Sequence, residues 1–74
     1  MNKKRREKVT VAFEMVKQAQ EILEEVKDAE QNALENLPDS LHDSEKAEQM
    51  QECVELMEEA EEYLDDAASV MEQI

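Results

Sequence analysis

Carboxylates at helical spacing are the side chains of this chain with the most evident chemistry. Glu21 and Glu24 in "EILE", and Glu62 and Asp65 in "EYLD", are acidic pairs three residues apart. On a helix that spacing puts both carboxylates on one face, where together they could hold a divalent cation. A second concentration of polar chemistry is "ENLPDSLHDSEKAEQM", residues 35 to 50, with the only proline and the only histidine. Two of the three serines, Ser40 and Ser44, flank that histidine, His42.

Each catalytic or metal reading of these residues meets a simpler one. Glu-x-x-Glu and Glu-x-x-Asp pairs hold magnesium in all-α nucleoside triphosphate pyrophosphohydrolases, but such pairs arise readily where 21 of 74 residues are Asp or Glu. Di-iron bundles need Glu-x-x-His on facing helices, and His42 stands in a turn. Read as a calcium loop from Asp39, the segment puts Leu41 at the third position, Ser44 where glycine is needed and Met50 at the glutamate position. Helix capping accounts for both serines without a catalytic triad. Cys53 lies on an apolar arc among acids that raise a thiol pKa, which suits a small core residue better than a nucleophile. The expectation is a protein with no catalytic, cofactor-binding or metal-ligating residue, and not an enzyme.

The elements that position these groups follow from composition and periodicity. There is no glycine, only two aromatics, and an excess of Ala, Glu, Lys, Leu, Met and Gln, the composition of long helices. Val9, Val16, Leu23 and Leu37 fall at heptad position a, and Ala12, Ala19, Val26 and Ala33 at d, with Glu30 breaking the seam. Met15, Ile22 and Ala29 at g, and Phe13 and Leu34 at e, widen the apolar arc to roughly 160°. The second half repeats the pattern. Its seam is Ala47, Met50, Val54, Met57, Leu64, Ala68 and Met71, interrupted by Glu61. Beside it runs a stripe of Cys53, Leu56, Ala60, Tyr63, Ala67, Val70 and Ile74.

Between these runs, Pro38 cannot continue a helix and biases Leu37 away from helical backbone. Ser44 with Glu45 and Glu48 reads as an N-cap with acids in the first turn; Ser40 with Asp43 is a second possible start. The expectation is an all-α antiparallel two-helix hairpin in a single domain, 1–74. Helix 1 spans about 5–36 and helix 2 about 45–72, with a basic end at 1–8 and a turn at 37–44 that includes Leu37, Pro38, Ser40, Leu41 and Ser44. Residues whose numbers sum to about 81 should face each other, which sets Val26 against Val54, Leu23 against Met57 or Glu58, Ala33 against Ala47 and Gln20 against Glu61. Leu23, Val26, Val54, Met57 and Leu64 should form the core. Glu61 and Glu30 either make a polar layer that fixes register or turn outward to water.

A hairpin covers one seam on each helix, so arcs this wide predict a further partner. The simplest is a second copy, which makes a homodimeric four-helix bundle. Phe13, Tyr63 and Cys53 are expected near that second interface, and Val16, Ile22, Leu56 and Met71 complete the core and interface set.

A net charge of −13 repels nucleic acid and anionic membrane and favours a basic protein partner. Residues 1 to 8 carry five basic side chains against Glu7, so the rest of the chain is more acidic still. Glu55, Glu58, Glu59, Glu62, Asp65 and Asp66 form an acidic row on helix 2, which could imitate duplex phosphates or be an ordinary solvated face. No run approaches the roughly 18 apolar residues of a membrane span, and one cysteine forms no internal disulfide. A soluble cytoplasmic protein is expected.

Glu30 to Glu52, "EQNALENLPDSLHDSEKAEQMQE", resembles small acidic proteins encoded in bacterial phages and prophages, with the pattern E-Q-x-A-x-x-N-L-P-x-S-L-x-x-S-E-x-x-E-x-M. The likeness covers the middle third; His42 and Ala47 stand where the pattern has glutamine and glycine. It implies an accessory protein of an infected or lysogenic bacterial cell, one that binds and modulates a partner, counters defence or supports replication. The function expected is therefore a non-enzymatic protein–protein interaction module. An acidic DNA-mimicking inhibitor is the alternative, and a magnesium-dependent pyrophosphohydrolase a distant one.

Overall fold

The computed structural model describes residues 1–74 as two long helices, α1 (Lys3–Glu35) and α2 (Glu45–Met71), joined by a short 3-10 turn at Asp39–Leu41. The helices pack side by side with no strand anywhere, in a rod 60 × 14 × 13 Å. Both boundaries fall within two residues of the expected ones.

Local chemistry explains the helix ends. Asn2 caps α1, its side-chain oxygen accepting from Arg5 N–H at 2.8 Å, a cap the sequence reading passed over. Pro38 has no N–H, and α1 closes just before it, with Asn36 N–H donating to Asn32 O at 3.0 Å and Leu37 N–H to Leu34 O at 3.3 Å. The chain then passes through the 3-10 turn, where Leu41 N–H reaches Pro38 O at 2.8 Å. Ser44 starts α2: its Oγ accepts from Ala47 N–H at 3.2 Å and donates to Leu41 O at 2.6 Å. Ser40 lies inside the 3-10 turn, and helix α2 begins from Ser44 alone. No residue has positive φ, so the reversal is made with negative-φ conformations throughout. That is how a glycine-free chain turns round without strain.

The helices meet along one seam. On α2 the enclosed positions are the expected Ala47, Met50, Val54, Met57, Leu64, Ala68 and Met71, with Ala60 and Glu61 beside them. On α1 they are Val9, Phe13, Val16, Gln20, Leu23, Lys27, Glu30 and Leu34, the a and e positions. Lys27 of α1 reaches Glu61 of α2, and Arg6 of α1 reaches Ile74 past the end of α2, so the antiparallel helices are tied at two levels.

Two corrections follow. Val26 is 50% exposed and does not face Val54, and Ala33 is exposed and does not face Ala47. The expected seam used a and d on α1; the observed one is turned toward e. Turning replaces Ala12, Ala19 and Ala33 by the larger Phe13 and Leu34, which remove more apolar area from water. It also brings Gln20 and Lys27 onto the seam, where the long Lys27 stem covers apolar surface and its ammonium meets Glu24 and Glu61. Phe13, expected at a second interface, is half-buried in the hairpin, with Lys17 Nζ 5.8 Å from its ring centre.

Candidate partner-binding surface

Only Ala47, Val54 and Ala68 are fully buried. Most of the apolar side chains therefore remain on the surface, and their placement is ordered. On α1, Ala12, Met15, Ala19, Ile22, Val26, Ala29 and Ala33 are all exposed, and they recur at alternating intervals of three and four without interruption. On α2 the same spacing runs through Cys53, Leu56, Ala60, Tyr63, Ala67 and Val70, all exposed except the half-buried Ala60. Intervals of three and four are those of a helix seam that packs against another helix. Ile74, expected to extend the second stripe, lies beyond the end of α2 and lines a cleft with Arg6, Thr10 and Phe13.

Helix geometry fixes where these stripes point. At about 100° per residue, the α1 stripe lies roughly 100° round the helix from the seam. The α2 stripe lies about the same angle from its own seam, in the same rotational sense. Because the helices are antiparallel, equal rotations in the same sense bring both stripes to the same side of the hairpin. The stripes run side by side along the rod, Met15, Ile22 and Val26 on α1 and Leu56, Tyr63 and Val70 on α2. One broad side of the rod is thus apolar along about six helical layers.

The other broad side is acidic. Glu14, Glu21, Glu24 and Asp28 of α1 and Glu55, Glu58, Glu62 and Asp65 of α2 are exposed there. Glu59 and Asp66 lie further out on α2, where Glu59 accepts a 3.3 Å hydrogen bond from Tyr63 Oη. The acidic row read from the sequence therefore divides between the acidic side and the outer edge of α2.

Gln20, Glu21, Glu24, Glu61 and Asp65 line one polar cleft between the helices. The cleft brings both halves of the magnesium-type pattern near each other, with Glu61 in the place expected for Glu62. The acidic side chains are not grouped closely enough for any three to hold a metal ion. Instead Lys27 Nζ stands 3.0 Å from Glu24 Oε2 and 3.5 Å from Glu61 Oε2. Glu61 Oε1 is enclosed and has no hydrogen-bond partner. Hydrogen bonding with Glu24, then burial and the charge of Glu24, push the Glu61 carboxyl above its ordinary pKa, against the pull of Lys27. The same hydrogen bond from Glu61, followed by that from Lys27, holds Glu24 below its ordinary value. Glu24 in turn raises Lys27. Gln20 and Glu61 line the same cleft, and neither Glu61 nor Glu30 is fully buried.

At the turn, His42 Nε2 is hydrogen-bonded to Leu37 O. Sequence reasoning left His42 without a structural role; here it ties the exit of α1 to the entry of α2. Cys53 is exposed on the apolar side rather than enclosed in the hairpin. The basic end lies beside the C-terminal end of α2 and forms no ion pair with Asp65, Asp66 or Glu72. Its one long-range bond is Arg6 Nη1 to Ile74 O, 2.7 Å.

The fold and surface define a two-sided helical hairpin, and no helix is long and apolar enough to cross a membrane. Comparisons with protein-family models, curated proteins and solved structures give no match.

Proposed function

We propose that this hairpin is a non-enzymatic protein–protein interaction module that works as a homodimer. The apolar sides of two copies close into a four-helix bundle, which leaves the acidic sides outward for a basic protein partner. The observation that carries this reading is the pair of uninterrupted apolar stripes on one side of the rod. Met15, Ile22, Val26, Leu56, Tyr63 and Val70 are each 50% to 65% exposed. Together they present on the order of 700 Å² to water, close to the roughly 800 Å² that each partner of a stable complex buries. A core of three buried residues is also small for a chain of this length, and a second copy supplies what the hairpin lacks.

A bacterial phage or prophage setting, implied by residues 30 to 52, is consistent with a short accessory protein that modulates a partner. Sedimentation equilibrium across a concentration series tests the dimer. A mass of twice 8.6 kDa supports it, and a monomer at every concentration removes it. The acidic side supports a second reading, a DNA-mimicking inhibitor of a nucleic-acid-binding protein. Binding to such a partner would weaken steeply with added salt, whereas contacts through the apolar side would change little.

A further inference from the structure

The structure assigns Tyr63 as the anchor of the apolar side, the side chain whose burial under a second copy holds the dimer together. This rests on the dimer reading above and adds the residue that dominates the interface.

The hairpin places its two aromatic side chains differently. Phe13 is half-buried between the helices, whereas Tyr63 is 65% exposed, the highest value among the large apolar residues. At that exposure a tyrosine offers about 150 Å² to a partner, more than any other residue of either stripe. Its neighbours on α2 make it stand proud. Ala60 and Ala67, one turn before and after it on the same stripe, are both small. Leu56 and Val70 lie seven residues away, about 10.5 Å to either side. The ring therefore projects between two low points, midway between two other apolar side chains. A protruding aromatic ring, flanked by lesser contacts that shut out water, is the usual form of a residue that dominates an interface.

The polar tip of the side chain is already provided for. Tyr63 Oη donates to Glu59 Oε1 at 3.3 Å, and Glu59 lies toward the outer edge of α2. The hydroxyl is thus held at the rim of the apolar side by a partner from its own helix. A second copy can cover the ring without stranding a polar group. A two-fold dimer buries two such rings, so a change at this position is felt twice.

Tyr63 is also the only tyrosine in a chain without tryptophan, so tyrosine emission reports this one ring. The full chain and its Tyr63→Ala, Tyr63→Phe, Leu56→Ala and Val70→Ala variants would be followed by sedimentation over dilutions that reach the monomer. Acrylamide quenching of tyrosine emission would be read in parallel on the parent. All three positions are exposed in the hairpin, and circular dichroism checks that each variant stays helical. Tyr63→Ala should raise the dissociation constant of the dimer by on the order of 100-fold or more, and Leu56→Ala and Val70→Ala by about tenfold or less each. Tyr63→Phe should stay within about threefold of the parent, because the ring and not the hydroxyl is what the second copy covers. In the parent, quenching should fall over the same concentrations at which the mass doubles. Equal losses for the three alanine variants, or quenching unchanged as the mass doubles, would overturn the assignment while the dimer reading stands. So would a loss for Tyr63→Phe as large as that for Tyr63→Ala. A parent chain that sediments as a monomer at every concentration would remove the dimer reading and the anchor together.

Discussion

Lys27 of α1 reaches Glu61 of α2 across the hairpin, Nζ to Oε2 at 3.5 Å, while the same nitrogen holds Glu24 at 3.0 Å. One ammonium thus serves two carboxylates that would otherwise repel each other. The arrangement has a definite pH signature. Glu61 has a raised pKa, so its contribution to stability is fully present below the ordinary carboxylate value and is lost as pH rises through the raised one. Glu24 has a lowered pKa, so its contribution is present above the ordinary value and is lost as pH falls. Glu61→Gln keeps a donor toward Glu24 that never titrates. It should raise the melting temperature at neutral pH, and the gain should shrink as the pH approaches about 4, where Glu61 is itself protonated. A gain of equal size at both pH values would show that Glu61 does not titrate in this way.

The two serines of the turn separate cleanly. Ser44 accepts the Ala47 N–H at 3.2 Å and starts α2, with Glu45 and Glu48 in its first turn. Ser44→Ala should cost about 1 kcal/mol in urea unfolding. Ser40 makes no side-chain cap, and Ser40→Ala should change stability by less than about 0.5 kcal/mol. Equal losses would mean that Ser40 also caps a helix in solution.

The lengths of both helices, the stopping point before Pro38 and the start at Ser44 were legible in the sequence, because proline, cap residues and helical periodicity act locally. The α2 seam was legible for a related reason: its a and d positions are larger and more regularly apolar than their alternatives. The rotation of α1 was not. Its arc offers Val26 and three alanines on one side of Val16 and Leu23, and Phe13 and Leu34 on the other. Which side packs depends on the area that α2 can cover, a tertiary quantity that heptad labels do not contain. The Lys27 ion pairs follow from that rotation, and so were equally out of reach. The His42 bond to Leu37 O depends on the path of a turn that no local pattern specifies. The two apolar stripes were visible as sequence; that they share one side of the rod needed the rotation of α1.

The difference between seam and stripe has a direct energetic test. Val54 is 1% exposed, and Val54→Ala should destabilise by on the order of 2 kcal/mol at any protein concentration. Val26, at 50% exposed, touches little within one hairpin. Val26→Ala should leave a dilute sample within about 0.5 kcal/mol of the parent, and lower the melting temperature clearly only where copies associate. Chemical unfolding at two protein concentrations separates these contributions. A loss for Val26→Ala that is as large in dilute solution as in concentrated solution would place Val26 back in the hairpin core.

The acidic side predicts how the molecule responds to salt. Of the carboxylates, only Glu24 and Glu61 form ion pairs, and the net charge of −13 is spread along a rod 60 Å long. Like charges therefore face one another across and along the helices with little to offset them. Their mutual repulsion opposes the folded state, and opposes the approach of a second acidic copy still more. Added salt shortens the Debye length from about 30 Å at 0.01 M to about 8 Å at 0.15 M, less than the reach of these charge rows. The melting temperature should therefore rise with sodium chloride over that range, opposite to the behaviour of a fold held by surface ion pairs. Replacing Glu58 and Glu62 by glutamine should raise the low-salt melting temperature and flatten its salt dependence, since it removes two charges from the most crowded part of α2. A melting temperature that falls as salt is added would mean that the Lys27 ion pairs outweigh the repulsion, and would reverse the expected ranking of these variants.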